Sequence, residues 1–253
     1  MKLAQTCAII TGGASGLGEA TARHFAENGA QVTILDRDAD RGPKVAAEIG
    51  GHFVQTDVTD EDSVSAAIAF AVEKMGRISA CVNCAGIAYG IKTIGRDGAH
   101  PLDAYKRTID INLVGTFNVA RLAAVEIAKN TPESDGARGV IINTASIAAY
   151  DGQKGQAAYA ASKAAAISLT KTLGQSWARD GIRVNGLAPG LVPTKLTAVT
   201  TRNKERAEAS LRAIPVRRMG TPEEMAGAAM FLASPLASYV QGHTLIADGG
   251  LTL

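Results

Sequence analysis

Tyr159 and Lys163 are the residues whose types and spacing first suggest a catalytic site. They lie four residues apart, about one helical turn, in a segment whose pattern predicts a helix over residues 159–178, so both side chains would share one face. A phenol is a poor base at neutral pH, but a neighbouring ammonium favours its anion. We interpret the pair as a general acid/base in which Lys163 lowers the pKa of Tyr159. The alternative is an ordinary amphipathic helix face.

A third polar group, Ser146, follows a predicted strand over residues 139–144 and precedes Tyr159 by thirteen residues. Ligands of parallel α/β sheets collect at the carboxyl ends of strands. A hydroxyl there can donate to an oxygen that gains charge during a reaction. The neighbouring residues do not form the GxSxG turn of serine hydrolases and no histidine has an evident relay partner, which argues against that class.

A glycine-rich turn, residues 11–18, joins a predicted strand (residues 7–10) to a predicted helix (residues 19–28). Gly12, Gly16 and Gly18 would let the backbone approach a diphosphate, whose charge is met by free N–H groups and the helix dipole. The spacing differs from the GxGxxG dinucleotide fingerprint, so an ordinary tight turn would explain the same glycines.

Two carboxylates follow the next two predicted strands, residues 32–35 and 52–55. Asp36 would bind the ribose hydroxyls of NAD and repel the 2′-phosphate of NADP, although the adjacent Arg37 could partly accommodate that phosphate. Asp57 would accept a hydrogen bond from the adenine amino group. Both carboxylates could instead cap the helices that follow. NAD is therefore the expected cofactor.

Gly86 and Asn112 are two further candidates after the fourth predicted strand, residues 78–83. Gly86 would let the backbone lie close to a flat ligand, or would simply form a turn within a loop over residues 87–101. Asn112 lies inside a long predicted helix, residues 103–129, where asparagine is unfavourable. Either a kink with an inserted water or plain exposure would explain its presence.

Alternating strands and helices predict a single-domain Rossmann-like α/β fold over residues 1–253, with a doubly wound parallel sheet and helices on both faces. The segment over residues 191–220 is the expected substrate lid. Its seven basic and two acidic residues give a net charge of +5, against +2 for the whole chain. That charge suits an anionic substrate handle such as a phosphate-bearing carrier, or else a solvated helix face. The basic residues are Lys195, Arg202, Lys204, Arg206, Arg212, Arg217 and Arg218, and the acidic ones are Glu205 and Glu208.

The composition of the chain excludes several classes of binding partner and of structural site. The 26 basic and 24 acidic residues form no run of like charge, so neither nucleic acid nor an anionic membrane is expected. No apolar segment has the length of a membrane span and no leader pattern is evident, so we expect a soluble cytoplasmic protein. Three cysteines argue against a disulfide framework. Cys81 and Cys84 would point to opposite faces of a strand, which favours structural thiols over a metal site.

In these motifs the whole chain resembles the classical short-chain dehydrogenase/reductase family. The matching features, in the family's order, are residues 11–18, residues 83–86, Asn112, Ser146, residues 159–163 and residues 189–190. Within the family, residues 82–88, 115–119, 139–146 and 152–159 are similar to the branch of type-2 3-hydroxyacyl-CoA dehydrogenases, also called type-10 17β-hydroxysteroid dehydrogenases. The lid and residues 240–253 match that branch least.

The resemblance implies a seven-stranded sheet, a homotetramer and reversible hydride transfer between NAD and the secondary alcohol of a short (S)-3-hydroxyacyl-CoA. It implies that Tyr159 takes the hydroxyl proton, that Ser146 holds the substrate oxygen, and that Lys163 also binds the nicotinamide ribose. Asn112 would anchor a water in a proton path, and Gln153 would orient the substrate. The implied cofactor contacts are Gly12, Ser15, Gly16, Leu17, Gly18, Asp36, Asp57, Val58, Cys84, Ala85, Gly86, Tyr159, Lys163, Pro189, Val192 and Thr194, the last on the carboxamide.

Other functions stay open. The same residues would serve a dehydrogenase of hydroxysteroids or other secondary alcohols, a ketone reductase, or a 3-oxoacyl carrier-protein reductase. A dinucleotide sensor without chemistry is the alternative from another class, and the presence of Ser146, Tyr159 and Lys163 favours an enzyme. Relatives often carry Phe at the position of Val192 and a small residue at that of Pro193, so lid closure is expected to differ.

Overall fold

A seven-stranded parallel sheet forms the centre of the molecule, in the order β3-β2-β1-β4-β7-β8-β9. The computed structural model describes residues 3–96, 98–198 and 203–253, apart from the side chain of Arg206. The strands are β1 (Cys7–Thr11), β2 (Gln31–Asp36), β3 (His52–Gln55), β4 (Ala80–Asn83), β5 (Ile94–Gly95), β6 (Gly98–Ala99), β7 (Gly139–Thr144), β8 (Ile182–Pro189) and β9 (Thr244–Ala247). The predicted doubly wound fold class is confirmed.

Helices cover both faces of this sheet. They are α1 (Gly16–Glu27), α2 (Gly42–Glu48), α3 (Glu61–Met75), α4 (Leu102–Ile109), α5 (Gly115–Ile127), α6 (Ala157–Trp177), α7 (Lys204–Ala213) and α8 (Pro222–Ala233). Consecutive residues of a strand pack in the cores on opposite faces of the sheet. Ile9 packs in the core formed with α3, α5 and α6, whereas Ile10 packs in the core formed with α1, α2 and α8. The strands are almost continuously apolar because both faces are covered.

The five strands predicted with bounds lie within two residues of them. Helix α2 begins only at Gly42, because the Asp38 carboxylate accepts hydrogen bonds from the backbone N–H groups of Asp40 and Arg41, which forms a turn before it. This turn lies beside the end of β2, where the glycine-rich turn and Asp36 meet.

The long predicted helix over residues 103–129 is interrupted. A π-helical segment, Asp110–Val114, separates α4 from α5, and Asn112 lies within it with 0% of its surface exposed. The alternative of plain exposure for Asn112 is therefore wrong, and the helical hydrogen bonding changes at this residue. The inserted water stays a prediction.

The predicted loop over residues 87–101 and the predicted lid each contain regular structure. Strands β5 and β6 pair as a short antiparallel hairpin in the loop. Helix α7 occupies the second half of the lid, while Arg202 and the side chain of Arg206, two of its predicted charges, lie outside the described residues. Within the described ranges, no helix has the length and apolar character needed to cross a membrane.

Candidate active site

A cavity of about 570 Å³ lies at the carboxyl ends of strands β1, β2, β4 and β7. Residues from all these strand ends and from the beginning of the lid line it. The predicted site residues among its lining are Gly12, Ser15, Gly16, Leu17, Gly18, Asp36, Asp57, Val58, Cys84, Ala85, Gly86, Tyr159, Lys163 and Thr194. The topology thus brings together residues that are more than 180 positions apart in the sequence.

The glycine-rich turn lies against the loop that follows β4. Gly12 has φ +66°, and a Cβ atom built on it would stand 2.9 Å from the backbone nitrogen of Ala85, so only glycine fits without displacement. Helix α1 begins at Gly16, and the side chain of Ser15 forms no capping hydrogen bond within the described part of the chain. Backbone N–H groups in the first turn of α1 are therefore available to an anion in the cavity.

Asp36 is the last residue of β2, and its side chain binds the glycine-rich turn. Its Oδ2 accepts from the backbone N–H of Ala14 at 3.0 Å and its Oδ1 from that of Asp38 at 3.0 Å. The alternative in which Asp36 caps α2 is wrong, because Asp38 accepts from the N–H groups of the preceding turn.

Asp57 is not the cap of α3 either, since Asp60 accepts from the backbone N–H of Ser63 at 2.8 Å. Asp57 Oδ1 accepts from the hydroxyl and the backbone N–H of Thr59, which lowers the pKa of Asp57. Nε of Arg37 lies 3.6 Å from its Oδ2. A carboxylate at this end of the cavity thus remains ionised at neutral pH.

Lys163 reaches the cavity from α6 and is 4% exposed. Its Nζ donates to the carbonyl oxygen of Thr144 at 2.6 Å and lies 5.7 Å from the ring centroid of Tyr159. Burial lowers the pKa of Lys163 to about 8. The ammonium is therefore anchored to the end of β7 and is close to its titration range.

Tyr159 differs from its predicted electrostatics. Burial raises the pKa of Tyr159, and hydrogen bonding with Ser146 only partly opposes the rise. In the protein alone, Lys163 does not lower this pKa as predicted, and its Nζ instead donates to the Thr144 carbonyl. Tyr159 is a protonated phenol at neutral pH in this state.

Ser146 lies where the chain leaves β7. It is the N-terminal cap of a short 3₁₀ helix, Ile147–Ala149, and its Oγ accepts from the backbone N–H of Ala148 at 3.2 Å. Ser146 is not among the lining of the cavity, but its side chain is near enough to Tyr159 to oppose the rise in the pKa of that phenol. Strand β7 and helix α6 therefore present a serine hydroxyl, a phenol and an ammonium at one location.

Asn112 ties the loop after β4 to helix α6. Its Oδ1 accepts from the backbone N–H of Ile87 at 2.8 Å, and its Nδ2 donates to the Ile87 carbonyl at 2.9 Å and to Ser162 Oγ at 3.0 Å. Both amide hydrogens are used by the protein, so the predicted water would have to donate to Oδ1, which has a second lone pair, and that water stays a prediction. The carboxamide thereby fixes the position of α6 relative to the loop after β4, which lines the cavity.

Five predicted site residues are not among the lining of the cavity, namely Asn112 and Ser146, described above, and Pro189, Val192 and Gln153. Pro189 ends β8 opposite Ala247, and Val192 is 3% exposed within the core on the α8 side. Gln153 is exposed in the loop before α6. Residues that the sequence did not suggest also line the cavity, among them Tyr89, Arg107, Ile111 and Thr144. Of these four, only Thr144 had a signal, its position at the carboxyl end of a predicted strand.

The lid contributes less charge to the cavity than predicted. Among its described basic residues, Lys195 lines the cavity. Arg218 is paired with Glu224 at 2.6 Å and Arg217 donates to the carbonyl of Arg212. Lys195 is thus the described lid cation that lines the cavity, and the described residues do not concentrate a charge of +5 there, while Arg202 and the side chain of Arg206 lie outside them.

Cys81 and Cys84 pack in opposite cores, as their strand spacing predicts. Cys84 also lines the cavity, where Thr144 Oγ1 donates to its sulfur at 3.5 Å, and burial raises its pKa. In the described ranges no group of three or more His, Cys, Asp or Glu side chains is arranged for a metal ion.

Comparison with known proteins agrees with this geometry. A family model described as enoyl-(acyl carrier protein) reductase matches residues 12–252. The 3-hydroxyacyl-CoA dehydrogenase type-2 of Drosophila melanogaster is 44% identical over 250 residues, covering 97% of this chain and 96% of that protein. The protein of the same name from Homo sapiens is 41% identical over 251 residues, covering 97% and 95%.

The fold is also that of a solved relative. The crystal structure of 3-hydroxyacyl-CoA dehydrogenase type-2 from Mycobacterium avium superimposes with a TM-score of 0.90 at 41% identity, covering 97% of this chain and 95% of that one. Such identity over nearly the whole chain confirms the predicted enzyme class, an oxidoreductase that uses a nicotinamide dinucleotide and acts on small molecules. The chain belongs to the short-chain dehydrogenase/reductase family.

Proposed function

We propose that this chain is an NAD-dependent dehydrogenase that reversibly oxidises a short (S)-3-hydroxyacyl-CoA to the 3-oxoacyl-CoA. The observation that carries the proposal is that Tyr159 and Lys163 line the same cavity as Asp36 and the uncapped beginning of α1. The substrate class is supported by the likeness to relatives named for that activity.

The residues at the cavity fit a dinucleotide. The first turn of α1 and Gly12 would hold the diphosphate, and Asp36 would accept from the adenosine ribose. Asp57, Val58, Cys84, Ala85, Gly86 and Thr194 are the further proposed contacts within the lining. Bound NAD⁺ would accept a hydride and bring a positive charge that opposes the rise in the pKa of Tyr159 caused by burial.

Tyr159, Ser146 and Lys163 would carry the proton chemistry. Before oxidation Tyr159 would lose its phenol proton to solvent, because the positive charge of the bound cofactor favours the phenolate. The C–H bond of the carbinol then breaks with its electron pair leaving as hydride, and the O–H proton passes to the phenolate Oη of Tyr159. Ser146 would donate to the oxygen that becomes the carbonyl. Lys163 has three N–H donors and uses one on Thr144, so two remain for a ribose and for water. Reduction reverses each transfer.

The preference for NAD is tested by Asp36→Ala. We expect the ratio of the dissociation constants of NADPH and NADH to fall by about tenfold, because removing the carboxylate removes both a ribose acceptor and a charge that repels phosphate. Fluorescence titration with each reduced cofactor measures this ratio. Asp40→Ala, a nearby exposed carboxylate in the following turn, is the control. An unchanged ratio in Asp36→Ala would reject the ribose contact.

The substrate class is tested by initial rates with NAD⁺ on (S)-3-hydroxybutyryl-CoA, a hydroxysteroid and a simple secondary alcohol. We expect the highest kcat/KM for the CoA thioester. Lys195→Gln should raise its KM about fivefold and leave that of the uncharged alcohol within about twofold, since Lys195 lines the cavity and can attract phosphate groups. Arg212→Gln, on the exposed surface of α7, should change neither.

Other outcomes of that panel would select the alternatives. Preference for the steroid or for a 3-oxoacyl carrier protein would replace the CoA thioester as substrate. Turnover of none of them, together with tight NADH binding, would favour a dinucleotide sensor. In each case Asp36, Tyr159 and Lys163 would keep their proposed positions relative to the cofactor.

A homotetramer is part of the proposal. Val114, Phe117 and Val125 are all more than 40% exposed and share one face over about three helical turns. Small side chains along α6 would let helices of neighbouring subunits approach closely. A molar mass near the 26.1 kDa of one chain in light scattering would contradict it.

The lid and the cellular location complete the proposal. Residues 191–220 would close over substrate, because Thr194, Lys195 and Leu196 already line the cavity.

A cytoplasmic location is supported by the three cysteines, Cys7, Cys81 and Cys84, which are free thiols as expected in a reducing compartment. Recovery of the enzyme from an oxidising compartment in a cell-fractionation experiment would contradict that location.

A further inference from the structure

Two arginines follow Asp36 closely in the sequence, and both are engaged by carboxylates. Arg37 lies 3.6 Å from Asp57, and Nη2 of Arg41 lies 2.5 Å from Oε2 of Glu19. A 2′-phosphate on the adenosine ribose is recognised mainly by arginine and lysine side chains. The availability of these two cations therefore bears directly on the choice between NAD and NADP.

Arg41 is held close to the expected ribose position. Its Nε donates to the carbonyl oxygen of Ala14 at 2.5 Å, while Oδ2 of Asp36 accepts from the backbone N–H of the same alanine at 3.0 Å. Asp36 and Arg41 thus bind the two polar groups of one residue in the glycine-rich turn. The guanidinium and the Asp36 carboxylate thus meet at Ala14, although Arg41 itself is not among the lining of the cavity.

Glu19 holds Arg41 through a continuous charge network. One carboxylate oxygen of Glu19 accepts from Arg41, and the other accepts from Nε and Nη2 of Arg23 at 3.1 and 2.9 Å. Arg23 in turn contacts Glu48. The side chain of Glu19 is only 14% exposed, so its interaction with Arg41 is less screened than that of a surface pair.

Glu19 is ionised at neutral pH despite its partial burial. Burial raises the pKa of Glu19, but hydrogen bonds from Arg41 and Arg23 prevail and hold that pKa below its usual range. The carboxylate therefore neutralises Arg41 throughout the working pH range of a neutral enzyme. Among the described ion pairs, Arg41 has this one partner.

We propose that Glu19 is a specificity-determining residue, because by binding Arg41 it withholds a second cation from the 2′-phosphate of NADP. Asp36 then repels the phosphate, while Glu19 and Asp57 keep the two neighbouring guanidiniums from compensating. This inference rests on the proposed preference for NAD. It assigns part of that preference to a residue on α1 that does not line the cavity.

Glu19→Gln tests the inference, since it removes the charge of Glu19 and keeps its shape. Dissociation constants for NADH and NADPH are measured by fluorescence titration of wild type, Glu19→Gln, Glu48→Gln and the double variant Glu19→Gln/Arg41→Met. Glu48→Gln is the matched control, because Glu48 belongs to the same network but contacts Arg23 rather than Arg41. Thermal melting verifies that each variant is folded.

We expect Glu19→Gln to bind NADPH about tenfold more tightly than wild type, with NADH changed by less than about threefold. Glu48→Gln should leave both constants unchanged, and the double variant should lose the gain for NADPH. A folded Glu19→Gln with wild-type affinity for NADPH, or a gain that persists without Arg41, would overturn the inference alone. Tighter binding of NADPH than of NADH by wild type would overturn both the inference and the proposed cofactor.

Discussion

Tyr159→Phe lowers kcat by about a thousandfold and leaves the dissociation constant of NADH within about threefold of wild type. Phenylalanine fills the same space but has no hydroxyl to exchange a proton with the substrate, and a positioned acid/base contributes about 10² to 10⁴ to the rate. The cofactor contacts proposed for the glycine-rich turn and Asp36 do not depend on that hydroxyl. Steady-state kinetics and fluorescence titration of the same preparation measure both quantities.

Tyr89→Phe provides the control for Tyr159→Phe. Tyr89 also lines the cavity, so its substitution tests whether any tyrosine hydroxyl there affects turnover. We expect kcat of Tyr89→Phe within about threefold of wild type. A Tyr159→Phe variant that keeps more than about a tenth of the wild-type kcat would exclude Tyr159 as the acid/base.

Lys163→Met is expected to lower kcat/KM by about a hundredfold or more and to change how stability depends on pH. The lysine is the ammonium nearest the proposed reaction, and methionine has similar length but no charge or donor. The loss should appear with every substrate, whereas the effect of Lys195→Gln should be confined to CoA thioesters. Kinetics on two substrates of different charge separate these roles.

The stability effect of Lys163 has a definite sign. Its pKa is depressed to about 8 in the folded protein from 10.5, so below about pH 8 both states are protonated and the folded state carries the full cost of burying the charge. As the pH rises through 8 the folded state loses this proton first, the unfolded state binds more protons, and stability increases. From about pH 7 to about pH 9.5 the gain from this group is about 2 kcal/mol.

Urea unfolding of wild type and Lys163→Met at those two pH values tests this linkage. Other groups titrate in both proteins, so the difference between them isolates Lys163. Lys171→Met, which removes an exposed lysine from the same helix, should retain the wild-type pH dependence. Identical pH dependence of wild type and Lys163→Met would mean that the ammonium is well solvated, contrary to its 4% exposure.

The sheet was predictable because its strands carry strong local signals. Strands β3 and β7 have their predicted bounds, and Gly12 and Asp36 lie at strand ends where a parallel sheet collects ligands. The interruption of the helix at Asn112 was less predictable, because its cause is a set of contacts with Ile87 and Ser162, which are 25 and 50 residues away. Such contacts leave no periodic trace in the sequence.

The electrostatics of the site could not be predicted from residue types alone. The spacing of Tyr159 and Lys163 correctly indicated a common location, but the acceptor of the ammonium is a backbone carbonyl at the end of β7. A carbonyl is present at every residue, so its role depends on the register between α6 and the sheet. The charge of the lid was misjudged for a similar reason, because Arg218 has a partner in the capping residue Glu224.

A crystal structure of the enzyme with NAD⁺ is the most direct test of the central claim, that the cavity at the carboxyl edge of the sheet is a dinucleotide and catalytic site. We predict density for the diphosphate at the first turn of α1, the adenosine ribose beside Asp36, and the nicotinamide ring beside Tyr159 and Lys163. A dinucleotide bound in the opposite direction, or in the adjoining cavity lined by Lys106 and Asp103, would contradict the claim.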